Sequence, residues 1–402
     1  MNKGKKILIL GGGFAQLGLI NTAKEMGLQT IVVGIAGNYP GYAIADKVIY
    51  EDIFNKEVLL DIAQHEKVDG IVMACSDYGL ETLGYINDHM HLHGLSETNA
   101  ANSSDKMKMK VLLLQNGVNT AKFKIIKNDT EIPNLFKELS FPLIIKAVDL
   151  QGSKGVYICK TEKELYCNYK KSLSKSKRDY CIVEEFIEGR EFGAQAFVQN
   201  GKILFVLPHG DEVLQLGETN VPIGHYVPLF DNEDLRYNQI CREASKAITA
   251  LGFDNCAVNI DFIEKNGIPY IIELTGRAGA NSLPELMSEY LGFNYYELII
   301  RNALGETITD LTHTEKKHKS YVMSRQLFSD HSGVVHGIKC SKNKGLSLLT
   351  LFIKKGDKVQ KFQNSNDCIG RVIFHGNSKA CCEKYFDDFV KKFEIQILPI
   401  GI

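Results

Sequence analysis

Short β-branched runs alternate with helix-length segments along the first hundred residues, an order that few folds accommodate. "KILILGG" reads as a strand, "FAQLGLINTAKEMG" as a helix closed by Gly27, and "QTIVVGI" as a second strand. "NKEVLLDIAQHEK" then reads as a helix and "VDGIVMAC" as a strand. This rhythm predicts βαβ units around a parallel sheet, and the continuous apolar runs fit strands buried on both faces. The expected N-terminal domain, residues 1–104, is doubly wound. Its first turn holds Gly11 and Gly13, half of a G-x-G-x-x-G fingerprint, but Gly18 comes two places late. No acidic residue follows the second strand at the ribose position, so a tight strand-to-helix turn explains these glycines better than a dinucleotide site.

The 402 residues give room for two or three domains. A content of 44% hydrophobic and 24% charged residues is that of an ordinary soluble globular protein. The formal net charge of -1 provides no field that favours nucleic acid or an acidic membrane, so neither is expected as a partner. The N-terminal apolar run is too short to span a bilayer, breaks at three glycines and lacks a small-residue cleavage site; it reads as a buried first strand. The ten cysteines are scattered, apart from Cys381 and Cys382, with no C-x-x-C pair. They read as small buried hydrophobes, which suits a reducing cytoplasm and argues against a zinc site.

From about residue 105 the pattern changes to α+β with antiparallel strands. Ser104 or Asp105 is placed to cap a helix that Gly117 ends. "FPLIIKAV", "GVYICK", "YCIVEEFI" and "REFGAQAFVQNGKILFVLP" read as strands, the last turning at Asn200–Gly201. "HGDEVLQLGETNVPIGHYVPL" reads as a loop, "NEDLRYNQICREASKAITALG" as a long helix, and "NCAVNIDFIEKNGIPYIIELTG" as a hairpin turned at Asn266–Gly267. A polar stretch near residue 306 marks a boundary, beyond which further strands and a helix form a small β-rich lobe. The fold class expected is therefore α/β plus α+β, with no internal repeat.

The residues that carry chemistry fall in three places. In "VNIDFIEKNGIPYIIELTGRAG", Asp261 and Glu273 sit on adjacent arms almost opposite each other, with Ile260, Phe262, Ile272 and Leu274 pointing the other way. Two carboxylates on one face repel, and Mg²⁺ with phosphate oxygens and waters suits such a pair; two solvated acids on an exposed face would look the same. Arg277 follows in a glycine-rich turn, where a permanent positive charge suits a transferring phosphoryl group or an acyl phosphate, with Thr275 and Asn281 nearby. In "IIKAVDLQGSKGVYI", Lys146 precedes a loop of Gly152, Ser153, Lys154 and Gly155 between two strands, unlike the P-loop, which lies between a strand and a helix. In "CIVEEFIEGREF", a strand ends at Glu184, Glu185, Phe186 and Ile187, with Glu191 beyond; its backbone would suit an adenine edge and its last acid a ribose, although acids at a strand end are common.

Together these motifs resemble the ATP-grasp superfamily in the right order over roughly residues 5 to 300. The resemblance implies an N-terminal pre-ATP-grasp domain (1–104), an ATP-grasp domain (105–305) whose lid covers about 120–205, and a C-terminal lobe (306–402). It also implies ATP, with Mg²⁺ or Mn²⁺, as cofactors. Lys106 and Lys146 would contact phosphates and the amides of Gly152, Ser153, Lys154 and Gly155 would close over them as a nest. Lys154 either reaches the γ-phosphate or is a solvated surface lysine. Glu184 to Ile187 would hold adenine and Glu191 the ribose, while Asp261 and Glu273 would hold the metal. The third ligand position, often Asn in the family, is Thr275 here, which puts the second metal's coordination in doubt.

The chemistry implied is phosphorylation of a carboxylate by ATP, then attack of an amine on the acyl phosphate, with Arg277 steadying the charge. The C-terminal lobe resembles that of amino-acid ligases and biotin carboxylase-like enzymes. The segment carrying His225 resembles, more loosely, the substrate side of L-amino acid ligases, where His225 would either face the acceptor or serve the structure. Small carboxylates and amines, amino acids among them, are the expected partners, and a homodimer is a further expectation. The competing readings are a carboxylase or carbamoyl-phosphate-type enzyme that phosphorylates bicarbonate, a purine-biosynthesis ligase, and a non-catalytic ATP-binding regulator.

Overall fold

The computed structural model describes residues 4–150, 154–216, 219–230, 234–309, 311, 320–341, 343–364 and 367–399. Gly152 and Ser153 lie outside the described residues.

The N-terminal sheet is built from β1 (Lys6–Leu10), β2 (Gln29–Gly34), β3 (Lys47–Tyr50) and β4 (Gly70–Val72), in the order β3-β2-β1-β4. All its neighbours are parallel, as the alternation predicts. Ile7 to Leu10 and Ile31 to Val33 are buried because the strands sit between helices, which the unbroken apolar runs require. The glycine turn has a packing role. Gly11 adopts φ +93°, a Cβ on Gly12 would overlap the Tyr42 ring, and one on Gly18 would overlap the Tyr296 ring. Gly18 therefore lets the helix Leu17–Glu25 lie against the helix Tyr295–Ala303.

The lid sheet comprises β5 (Phe123–Ile126), β6 (Leu143–Ala147), β7 (Val156–Cys159) and β8 (Cys181–Glu185) in the order β5-β8-β6-β7, all antiparallel. The amphipathic helix Glu162–Leu173 covers it, and Thr161 caps that helix through Glu164 N. Ile126, Leu143, Ile145, Leu165, Tyr169 and Val183 belong to a core of its own.

The remaining strands are β9 (Arg190–Gln199), β10 (Lys202–Leu216), β11 (Thr219–Val227), β12 (Cys256–Lys265), β13 (Ile268–Thr275), β14 (Tyr321–Phe328), β15 (Gly333–Lys339), β16 (Leu346–Leu351), β17 (Lys358–Val359), β18 (Cys368–Gly376) and β19 (Glu394–Leu398). Eight of them form one sheet in the order β13-β12-β9-β10-β11-β14-β18-β16, and β17-β15-β19 form a small second one. One sheet thus runs from the hairpin of Asp261 and Glu273 into the C-terminal lobe. The segment "HGDEVLQL…NVPIGHYV", expected as a loop, is instead the outer part of β10 and its return β11. Gly, Asp and Glu are poor strand formers, so the segment reads as a loop; the pairing of β10 with β11 overrides that preference. Among the described residues no helix is long and apolar enough to cross a membrane, and all ten cysteines are free thiols.

Candidate active site

The hairpin register is the starting point. Asp261 pairs directly with Glu273 across β12 and β13, so their side chains leave the sheet on the same face. Val258, Ile260 and Phe262 point to the other face and are buried with Ile240, Ala244 and Ile248 of the helix Leu235–Leu251. Leu274 is buried as expected, but Ile272 is only half-buried. A bulge shifts the register after Asp261 so that Phe262 meets Ile271, and Ile271 takes the core position.

Asp261 is exposed, although the protein around it shields its carboxyl from part of the solvent. That enclosure, with the charges of Glu273 and Asp211, raises its carboxyl to about 7 against the pull of Arg277 and an Asn259 hydrogen bond. Asn259 Nδ2 donates to Asp261 Oδ1 at 3.1 Å, and Gln195 Nε2 donates to Asn259 Oδ1 at 2.6 Å. Lys106 Nζ lies 3.3 Å from Glu273 Oε1 and donates to Leu150 O at 2.8 Å. Lys106 is fixed because Asp105 caps its helix, Lys106–Gln115, through Met107 N and Lys108 N.

A second charged group lies beneath the lid. Lys146 Nζ sits 2.9 Å and Lys110 Nζ 3.2 Å from the same oxygen, Glu184 Oε2. Burial disfavours the Glu184 charge, but the two lysines outweigh it and hold the carboxyl below its usual range. Burial, against the attraction of Glu184, lowers Lys110 to about 8. The Glu184 carboxylate is therefore committed to lysines. Its neighbours are placed differently: Glu185 Oε1 is 3.8 Å from Lys122, Phe186 N donates to Pro142 O at 3.1 Å, and Ile187 is half-buried. Lys110 was missed by sequence reasoning. Its position one turn after Lys106 on the same helix was the available signal.

Arg277 is already held. Its Nε and Nη2 donate to the two oxygens of Asp77 at 2.6 and 2.9 Å, and Thr275 Oγ1 donates to Asp77 Oδ1 at 2.8 Å. Burial works against ionised Asp77, but the Arg277 charge and these hydrogen bonds keep its carboxyl below its usual range. Asp77, from the N-terminal domain, had no sequence signal, since 200 residues separate it from Arg277. The hydroxyl of Thr275 is spent on Asp77 rather than turned to Asp261.

Next to the hairpin, Gly193 pairs with both Asp261 and His209. A Cβ there would overlap the His209 imidazole, so the missing side chain makes room for the ring on the Asp261 face. Two residues along, Asp211 pairs with His225. His209 Nδ1 and His225 Nδ1 approach Asp211 Oδ1 at 3.0 and 2.6 Å. Burial holds His225 below its ordinary value, so a neutral ring directs its Nδ1–H at Asp211. Glu191 lies on the same face, two residues before Gly193; enclosure and Asp211 raise its carboxyl. In the glycine loop, Lys154 is exposed, while Gly155 adopts φ +71° and its carbonyl accepts from Ala147 N and Ser172 Oγ.

Residues 104–222 match the family described as phosphoribosylglycinamide synthetase, ATP-grasp (A) domain. The structure of a phosphoribosylglycinamide synthetase from Anaerococcus prevotii is 40% identical, with a TM-score of 0.86 over 98% of this chain and 100% of that one. The chain belongs to the ATP-grasp family. An L-amino acid ligase from Bacillus licheniformis, 20% identical, shares the ATP-grasp architecture with a TM-score of 0.80 over 99% of this chain and 100% of its own. The carbamoyl phosphate synthase large chain of Clostridium botulinum is 23% identical over 344 residues, 77% of this chain. This ATP-grasp chain spans 30% of that enzyme's length.

Proposed function

We propose that this ATP-grasp protein phosphorylates a carboxylate with ATP and joins it to an amine, releasing ADP and phosphate. The observation that carries the reading is the direct pairing of Asp261 with Glu273 beside Lys106. Asp261, raised to about 7 by enclosure and by neighbouring acids, belongs to a carboxylate group short of positive charge. A hard divalent cation fits that donor set, and Asp261 and Glu273 would hold Mg²⁺ or Mn²⁺. When bound, the cation neutralises charge on the ATP phosphates. Thr275 serves Asp77 in this reading, and waters and phosphate oxygens complete the coordination.

The chain's own groups do the rest. Lys106 and Lys146 neutralise the inner phosphates, and Lys110 shares Glu184 with Lys146 so that three charges share one buried network. The lid amides around Lys154 and Gly155 cover the outer phosphates. The backbone of Glu184 to Ile187 receives adenine and Glu191 the ribose. Arg277, locked by Asp77, faces the charge that develops as the carboxylate becomes an acyl phosphate; a fixed donor needs no reorganisation at that moment. His225 takes a proton from the amine. The protein acts in the cytoplasm on small molecules, in the three-part division given above, as a homodimer.

The test is release of ADP and phosphate from Mg-ATP with amino acids, alone and in pairs, with and without bicarbonate. Glycine with phosphoribosylamine is one pair, because the 40% identical relative is named for a phosphoribosyl amide of glycine. The expected result is turnover that needs one acid–amine pair and falls by ~10² or more in Glu273→Gln. Turnover that needs bicarbonate alone makes the protein a carboxylase. ATP binding without turnover on any pair overturns the amide-ligase reading.

A further inference from the structure

On the far side of Asp211 the same sheet face carries polar atoms that nothing among the described residues satisfies. His225 pairs with Ser324 across β11 and β14, and Gln326, two residues on, pairs with Arg371 across β14 and β18. These four residues therefore share one face. His225 Nε2, both amide atoms of Gln326 and Arg371 Nε are shielded from solvent without a hydrogen-bond partner, and so is Glu285 Oε2. His225 and Gln326 are only 5% and 3% exposed. Buried polar atoms are nearly always paired, so five in one neighbourhood call for a physical explanation.

Two further contacts hold Glu285 and Arg371 in place. Arg371 Nη2 donates to Asn281 Oδ1 at 3.2 Å, and Tyr296 OH donates to Glu285 Oε1 at 2.8 Å, which leaves Oε2 free. Both charges act on Cys75 and on Tyr296, in opposite directions. Cys75 is itself no nucleophile: burial and Glu285 push its thiol up to about 12, and its Sγ faces Gly279 O at 3.1 Å. The acid and the base thus lie near the same two side chains without forming an ion pair with each other.

The inventory of free atoms is specific. Arg371 Nε and Gln326 Nε2 donate; Gln326 Oε1, Glu285 Oε2 and His225 Nε2 accept, the last because its Nδ1–H goes to Asp211. Two donors and three acceptors match a carboxylate and an ammonium group. We propose that these side chains form the subsite of the amine partner, and that this partner is a free α-amino acid with its carboxylate on Arg371 and Gln326 and its amino group toward His225 and Glu285. The assignment rests on the ligase reading above. The turn from Arg277 to Asn281 spans at most about 14 Å of extended chain, so the subsite lies close to the acyl phosphate.

The step balances. His225 Nε2 takes one proton from the ammonium, and the freed lone pair forms the N–C bond with the acyl carbon. The bond from that carbon to the phosphate oxygen breaks. The phosphate leaves with its electron pair and takes the second nitrogen proton, while His225 returns its proton to water. His225 is catalytic in this scheme, and Asp211, which fixes its tautomer, is a positioning residue.

The experiment is calorimetric binding of the twenty amino acids, and of their decarboxylated amines, to the full chain with Mg²⁺ and a non-hydrolysable ATP analogue. At least one amino acid is expected to bind, with at least tenfold weaker binding of its amine. Gln326→Met and Arg371→Lys are each expected to weaken it tenfold or more, while an unchanged affinity for the analogue shows the fold intact. Equal binding of the amine, unchanged affinity in both variants, or no amino acid bound at all would each overturn the subsite. Failure of the ligase reading looks different: the amino acid binds as expected, yet no carboxylate panel yields ADP.

Discussion

Asp77 shows how much one side chain from another domain contributes to the site. It fixes Arg277 through two hydrogen bonds and accepts a third from Thr275, all in a largely buried setting. Removing one partner of such a pair leaves an uncompensated charge, so Asp77→Ala is expected to lower stability by about 3–5 kcal/mol, read from the denaturant midpoint. Thr275→Val, which removes a single hydrogen bond, is expected to cost about 1 kcal/mol. Lys110 carries the clearest pH signature. Burial holds its folded pKa near 8, below the ordinary 10.5, although Glu184 pulls the other way. The native state then binds fewer protons than the unfolded chain between those values, so stability rises with pH through that window and is lost as pH falls through about 8. In Lys110→Met that rise should vanish; an unchanged pH profile of the denaturation midpoint would show that Lys110 titrates normally.

At the level of elements, strand register decides which side chains meet. The hairpin turns at Asn266 and Gly267, with φ of +54° and +77°, which sets Lys265 opposite Ile268 and leads to the pairing of Asp261 with Glu273. Gly193, one strand over, creates the space that His209 fills. Gly193→Ala drives a methyl group into the imidazole, which makes overpacking of about 1–3 kcal/mol the expected penalty. It should also lower turnover far more than a Gly201→Ala control, because Gly201, at a hairpin tip, has open space around it. Equal turnover in the two variants would separate His209 from the site.

Across the whole molecule, the lid has a separate core while the rest shares continuous ones. Residues of the N-terminal sheet, the large sheet and the C-terminal lobe appear together in both larger hydrophobic clusters. The lid cluster holds only residues between 126 and 183. A lobe built this way can shift as a unit over a nucleotide without breaking the main core. ATP with Mg²⁺ at a hundredfold excess over Kd is therefore expected to stabilise the protein by about 2.7 kcal/mol. The rise in melting temperature should be lost in Lys146→Met. A variant that keeps the full rise would remove Lys146 from the phosphate site.

Much of this was legible because local physics wrote it. The N-terminal alternation, the cap at Asp105, the two Asn-Gly turns and the facing acids Asp261 and Glu273 all depend on residues close together in the chain, where periodicity and turn chemistry operate. Lys146 and Arg277 stood out in short local motifs for the same reason, whereas Lys106 was singled out only by the resemblance to the ATP-grasp pattern. The strand nature of the stretches from His209 to Leu216 and from Thr219 to His225 was not legible, since only pairing with a neighbour makes such polar segments strands. Nor were Asp77 on Arg277, the two lysines on Glu184, or the shared face of His225, Gln326 and Arg371. Each joins residues tens to hundreds of positions apart, and no local preference encodes such a meeting; it exists only once the strands have taken their register and the domains have packed.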